Sequence, residues 1–281
     1  MLDFFLRPSH AQLVADLAEL LSDLDAESAG ADQLVAGLTP AQWATGTPAA
    51  GWTIAHQIGH LAWTDEQALL AATDPAAFAE TLVAFANDEE PLGLTDREAA
   101  RLAALPPHHL LARWRNGRDS LQRTLADRDG ERLPWFGPPM AVPSMVTARI
   151  METWAHGQDI ADALGVKRVS TARLRHVAHI GVRARRFAYH AHGLEAPADE
   201  VYVELVGPNG ELWTWGSPDA AQRVTGPALD FCLLVTQRRH RDDLGVEALG
   251  DEADHWLDIA QAFAGPPGEG RRPGQFDEAP S

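Results

Sequence analysis

Four long stretches among the first 165 residues repeat their apolar side chains at every third or fourth position, and that period dictates helices. From Ser9 to about Glu27 the stripe is Leu13, Leu17, Leu20, Leu21 and Leu24, with acids opposite. The second stretch opens at Thr53, a candidate cap, and runs to Ala72, with Asp74-Pro75 as its stop. The third runs from Pro107 to about Arg128 and turns Leu110, Leu111, Trp114, Leu121 and Leu125 inward. The fourth runs from Ser144 to Leu164 and ends at Gly165, the usual residue at a helix C-terminus. Helices of this kind bury their stripes against one another, so the expected fold is mainly α, built on an antiparallel four-helix bundle. Shorter signals lie between them: a capped turn at Thr39-Pro40, a helix over Phe78–Phe85, and a capping-box pattern at Thr95-Asp96-Arg97-Glu98.

The pattern then changes. Ser170 to about Gly193 reads as a helix rich in arginine. Val201–Val206 and Glu211–Trp215 are β-rich runs around Gly207-Pro208-Asn209-Gly210, a hairpin signal. Arg223-Val224 suggests a further short strand, and Pro227–Arg238 and Asp251–Phe263 read as helices. The expected organisation is a bundle over residues 1–168, a smaller α+β domain over 169–264, and a disordered tail over 265–281, which is rich in Gly, Pro and charge.

Composition narrows the function classes. Forty acids against 23 bases give a net charge of −17, which argues against binding nucleic acid or an anionic membrane surface. One cysteine, Cys232, excludes an intramolecular disulfide framework and a multi-cysteine zinc site, and its apolar run Phe231–Val235 marks it as an inert core thiol. No signal-peptide pattern opens the sequence and no apolar run approaches the roughly 18 residues of a membrane span, so a cytoplasmic protein is expected. Lys167 is the only lysine beside 22 arginines, a bias that fits GC-rich codon usage.

Two of the helices carry chemistry. One contains His56-Gln57-Ile58-Gly59-His60, the other Glu152-Thr153-Trp154-Ala155-His156-Gly157-Gln158-Asp159. Residues four apart on a helix differ by about 40° in direction and about 6 Å in rise, so each pair faces one point, and Asp159 stays on the Glu152 face. Apolar neighbours surround both: Ile54, Ile58 and Leu61 on one, Ile150, Trp154 and Ile160 on the other. Burying imidazoles and a carboxylate there without partners is costly, and a metal removes that cost. Two ligands from one helix and one from the other leave an open coordination position. The competing reading is a buried His–Glu hydrogen-bond network with no ion.

The run Trp52-Thr53-Ile54-Ala55-His56-Gln57-Ile58-Gly59-His60-Leu61 resembles the helix start of the DinB-like metal-binding superfamily, in particular the N-terminal domain of mycothiol-dependent maleylpyruvate isomerases. Arg149-Ile150-Met151-Glu152 and its continuation to Asp159 resemble the second motif of that family. The resemblance covers about residues 10–165 and implies that His60, Glu152 and His156 ligate a divalent metal, Zn²⁺ by the donor set. The second half resembles the sterol-carrier-like domain that often follows. The whole, with Trp135-Phe136-Gly137-Pro138-Pro139 before the second motif, is similar to an actinobacterial subgroup of metal-binding proteins. Some relatives in it carry a wyosine-base-formation label, which the acidic charge does not support. His56 departs from the isomerase pattern, where the position is usually a carboxylate or other polar residue. It is read as a group beside the metal rather than a fourth ligand, because a closed site leaves less room for catalysis.

The resemblance implies a metal-dependent thiol transferase or isomerase. In it, mycothiol or a similar low-molecular-weight thiol attacks a small-molecule electrophile, with the metal favouring the thiolate. Around the ligands, Arg149 is placed to hold a substrate carboxylate or to pair with an acid of a neighbouring helix, and Asp159 to orient a ligand imidazole. Trp63 and Trp135 are read as pocket wall and as lid or plug, with His108-His109 at the surface. Two other readings stand: a hydrolase using metal-bound water, with His56 or Asp159 as base, and a non-catalytic protein that binds metal or a small ligand. A monomer and a homodimer both fit.

Overall fold

The computed structural model describes residues 10–88, 90 and 93–276, with side chains from Leu17 onward. The chain divides into two compact units, the first running through Thr153 and the second from Trp154, with Thr47–Ala49 counted in the second. The division falls inside one continuous helix.

The first unit holds α1 (His10–Val35), a short α2 (Pro40–Trp43), α3 (Ile54–Thr73), α4 (Pro75–Ala86), α5 (Leu94–Ala103) and α6 (Pro107–Ala126). A two-stranded ribbon, β1 (Arg132–Leu133) with β2 (Met140–Ala141), leads into α7 (Val142–Ala163). The four long helices α1, α3, α6 and α7 share one apolar cluster: Leu17, Leu24, Ala68, Ala72, Leu121, Leu125, Met145, Val146 and Ile150, with Leu133 and Val142 beside them. This is the expected bundle, but its directions differ from a simple up-and-down order. The cluster takes Leu17 and Leu24 of α1, the first half of α7 and the second halves of α3 and α6. Hence α3 and α6 run parallel, both toward this end, while α1 and α7 run away from it. The connection carrying α4 and α5 is long enough to bring the chain back to the start before α6 begins.

Other differences are local. α1 runs eight residues beyond Glu27, because Ser28, Ala31 and Val35 continue its buried face. The capping box read at Thr95–Glu98 does not start α5; the helix begins at Leu94, after Gly93. Gly59 is the contact point of α3 and α5, since a Cβ there would lie 2.7 Å from the Ala99 carbonyl oxygen.

The second unit contains the end of α7, then α8 (Leu174–Arg183), α9 (Arg185–Ala191), β3 (Val201–Val206), β4 (Leu212–Trp215), β5 (Gln222–Pro227), α10 (Ala228–Val235), β6 (Glu247–Leu249) and α11 (Asp251–Ile259). The single basic helix expected over 170–193 is thus two. The sheet order is β4-β3-β5-β6, antiparallel except for the parallel β3–β5 pair. β3 and β4 form the expected hairpin, turning with Gly210 at φ +84°. α10 packs on α8, where Gly181 lies against Val235. Cys232 is fully buried, its thiol donating to the Leu174 carbonyl at 3.4 Å, and burial raises its pKa, so it is held as the inert thiol expected. Residues 265–276 differ from the tail expected there. Arg271 reaches Asp159, the Arg239 guanidinium lies 3.5 Å from the Phe276 ring centroid, and the Gly274 amide donates to Asp243. Residues 277–281 lie outside the described residues.

Candidate metal centre

Beyond the apolar cluster, α3, α6 and α7 carry buried polar side chains among apolar ones. His60 lies in the second turn of α3, where the Thr53 cap and the Ile54, Ile58 and Leu61 stripe fix its direction. Its Nε2 is hydrogen-bonded to Oε2 of Glu152 on α7 at 2.9 Å, the contact that the competing His–Glu network also calls for, and His60 is 8% exposed. His156 is one turn beyond Glu152 on the same helix. Each of the three offers one ligand atom, and these atoms all lie within 4.8 Å of one another. Two imidazoles and one carboxylate at that spacing suit a small divalent cation of the zinc type and leave a coordination position for another ligand. The Trp52 ring stands 5.5 Å from the His60 ring and is pinned by its indole N–H, which donates to Asp96 Oδ1 at 3.0 Å.

The other residues singled out from the sequence fall in several places. The His56 Nδ1 accepts from the Thr53 amide at 3.3 Å and lies 2.8 Å from Thr53 Oγ1, so this nitrogen caps α3. His56 is not in the three-residue cluster. Burial lowers its pKa from the ordinary value, against the opposing pull of Asp96. Asp159 is fully buried, but its oxygens are taken by Arg238 at 2.9 Å and Arg271 at 2.8 Å. This corrects the expectation that it orients a ligand imidazole: two guanidiniums compensate its burial instead.

Arg149 is 4% exposed. Its guanidinium lies 5.6 Å from the Trp135 ring centroid, and its Nε and Nη1 find no hydrogen-bond partner among the described residues. No salt bridge from Arg149 to a neighbouring acid is formed among the described residues. Trp135 stacks on Phe78 at 6.0 Å and 8°, and Phe136 beside it packs against Trp63 at 5.9 Å. Trp63 is buried and lines a cavity of about 270 Å³ with Glu66, Gln67 and Phe85. His108 and His109 are exposed, as expected.

Sequence reasoning missed a buried ion pair. Arg118 of α6 donates through Nε and Nη2 to Asp65 Oδ2 of α3 at 2.9 and 2.8 Å, and more distantly to Thr153 Oγ1 of α7 at 3.4 Å. The signal was present. Arg118 occupies an inward position between Trp114 and Leu121, where the helical period calls for an apolar residue.

Comparison with known proteins places these residues among relatives. A family model described as the mycothiol maleylpyruvate isomerase N-terminal domain matches residues 24–161, and one described as wyosine base formation matches residues 197–246. Two uncharacterized proteins, from different strains of Mycobacterium tuberculosis, are each 57% identical over 259 residues, covering 92% of this chain and 100% of theirs. Two crystal structures of the mycothiol-dependent maleylpyruvate isomerase, one a His-to-Ala mutant, match with a TM-score of 0.55. Their identities are 16% and 17%, over 88% of this chain and 95% of theirs, a likeness of fold. No described helix is long and apolar enough to cross a membrane.

Proposed function

Because this chain belongs to the family of the mycothiol maleylpyruvate isomerase N-terminal domain, we propose that it is a metal-dependent thiol transferase or isomerase acting on a small electrophile. The thiol is mycothiol or a similar low-molecular-weight thiol. The observation that carries the reading is the convergence of His60, Glu152 and His156 within 4.8 Å. A divalent metal held by these three would supply one thing: it favours the thiolate form of a small thiol and keeps its sulfur beside the electrophile.

The protein's own groups do the rest. His60 and Glu152 come from α3 and α7, so the bundle core fixes their separation before any ligand arrives. Trp52 walls the His60 ring and limits water around it. Arg149 precedes Glu152 by one turn, and two of its buried guanidinium nitrogens have no hydrogen-bond partner among the described residues, which suits it to an anionic group that reaches the Trp135 side of α7. The Trp135 ring beneath the guanidinium holds it in place. Cys232, buried in the second unit, takes no part. The wyosine description of the second family model is left out of this reading, because the acidic balance of the chain argues against it.

The test is metal content. Protein purified without a metal-affinity tag is expected to hold about one metal ion per chain, and His60→Ala and Glu152→Ala to lose it. The loaded wild type should then add a small thiol to an unsaturated acid. No metal in any sample, even after incubation with Zn²⁺, would overturn the reading and leave a buried His–Glu network.

A further inference from the structure

The Asp65–Arg118 pair is an odd thing to find inside a bundle. Side-chain exposures are 1% and 4%, so both charges have left water. Both donors of Arg118 fall on one oxygen of Asp65, whose Oδ1 has no hydrogen-bond partner among the described residues, and neither has Arg118 Nη1. A buried pair with such incomplete satisfaction is a poor source of stability, and well-packed apolar residues in its place are often neutral or better. Its recognised use is to fix register, because a charged contact, unlike a leucine contact, has one acceptable partner.

The register here bears on the metal ligands. Asp65 follows His60 by five residues on α3. Thr153 is the residue after Glu152 on α7, its hydroxyl 3.4 Å from Arg118 Nη2 and itself donating to the Arg149 carbonyl at 2.8 Å. Arg118 stands on α6, its guanidinium 4.9 Å from the Trp114 ring centroid. One side chain therefore ties α3 to α7 just past the point where they present His60 and Glu152. A slip of one turn along either helix would keep many Leu and Ala contacts. It would break both the ion pair and the 2.9 Å His60–Glu152 approach.

We propose that Asp65 and Arg118 are positioning residues for the metal ligands, setting the His60–Glu152 separation and with it metal affinity. This rests on the metal reading above. The test uses the full chain, with Zn²⁺ affinity read by competition against a chromophoric chelator and folding of the metal-free protein by thermal unfolding. The double variant Asp65→Leu/Arg118→Met removes both charges and orphans neither. It should fold with a metal-free Tm near that of the wild type and bind Zn²⁺ about 10–100-fold more weakly, the usual cost of losing groups that orient ligands. Arg118→Lys keeps the charge and loses the fork, so it should fall between the two. Wild-type affinity in a folded double variant overturns the proposal, and if the double variant does not fold, wild-type affinity in Arg118→Lys does the same. Failure of the wild type itself to bind Zn²⁺ is a different result, which removes the metal reading and this proposal together.

Discussion

At one end of the bundle Leu24, Ala68, Leu121, Leu125, Val146 and Ile150 from four helices meet side chain to side chain. One turn along from it, the same helices α3, α6 and α7 bring together Asp65, Arg118 and Thr153, with His60 and Glu152 beside them. The apolar end gains from area removed from water, a term without direction that tolerates small shifts. The polar end gains little net energy from its contacts, but each requires a particular partner at a particular distance. Stability and placement are therefore weighted differently along one set of helices, although Ile54, Ile58, Leu61, Leu110 and Trp114 bury apolar area on the ligand side as well.

The largest expected effect comes from breaking the polar end the wrong way. Arg118→Ala removes the cation and leaves Asp65 charged and buried, which should cost about 3–5 kcal/mol in urea unfolding of the metal-free protein. An effect under about 1 kcal/mol would mean that water reaches this end and that the two ends are not as different as their burial suggests.

Next is the converse. Leu121→Ala opens a cavity in the apolar cluster and should cost about 2–5 kcal/mol. Zn²⁺ affinity of the folded fraction should fall less than in Asp65→Leu/Arg118→Met, because Leu121 adjoins Arg118 on α6 but touches no ligand. A large loss of affinity would show that placement depends on packing at the far end.

Metal itself sharpens the contrast. With free Zn²⁺ at about 100 times its Kd, the wild type should gain about 2.7 kcal/mol over protein in chelator, by mass action alone. Glu152→Ala should show no such gain, and Leu121→Ala should show it in full, on a lower baseline. Thermal unfolding with and without chelator reads all three.

Much of this division was legible before the structure. The period of three and four places Leu17, Leu24, Leu121 and Leu125 on buried faces. The i, i+4 spacing puts Glu152 and His156, both half-buried, on one face of α7, because helix geometry is local. Features that depend on where distant chain segments arrive were not legible. Asp159 takes its two arginines from 79 and 112 residues away, and nothing near it in sequence foretells them. The parallel course of α3 and α6 depends on how far α4 and α5 carry the chain. β1 and β2 are two residues each, too short for alternation to show. Arg118 is an intermediate case: its position violated the helical period, but which acid answered it was a tertiary fact.

The smallest effect concerns the first turn of α3, and the chain contains its own control. α2 opens with Thr39, whose amide donates to the Gln42 side-chain oxygen three residues on at 3.0 Å. α3 opens with Thr53, whose amide donates to His56 Nδ1 at the same offset. The two boxes do the same job, but only the second can be protonated. Nδ1 must be bare to accept, and burial already lowers the His56 pKa from its ordinary 6.5. In the unfolded chain His56 takes up its proton as pH falls through about 6.5, whereas the folded chain resists until a lower pH. The cap's contribution is thus present above that range and is lost as pH falls through the lowered folded value. His56→Gln makes the α3 box like the α2 box. Between pH 7.5 and 5 the wild-type urea midpoint should fall more than that of His56→Gln, by a difference worth no more than about 1 kcal/mol, the usual value of a helix cap. Parallel curves would mean that His56 does not cap α3 through Nδ1.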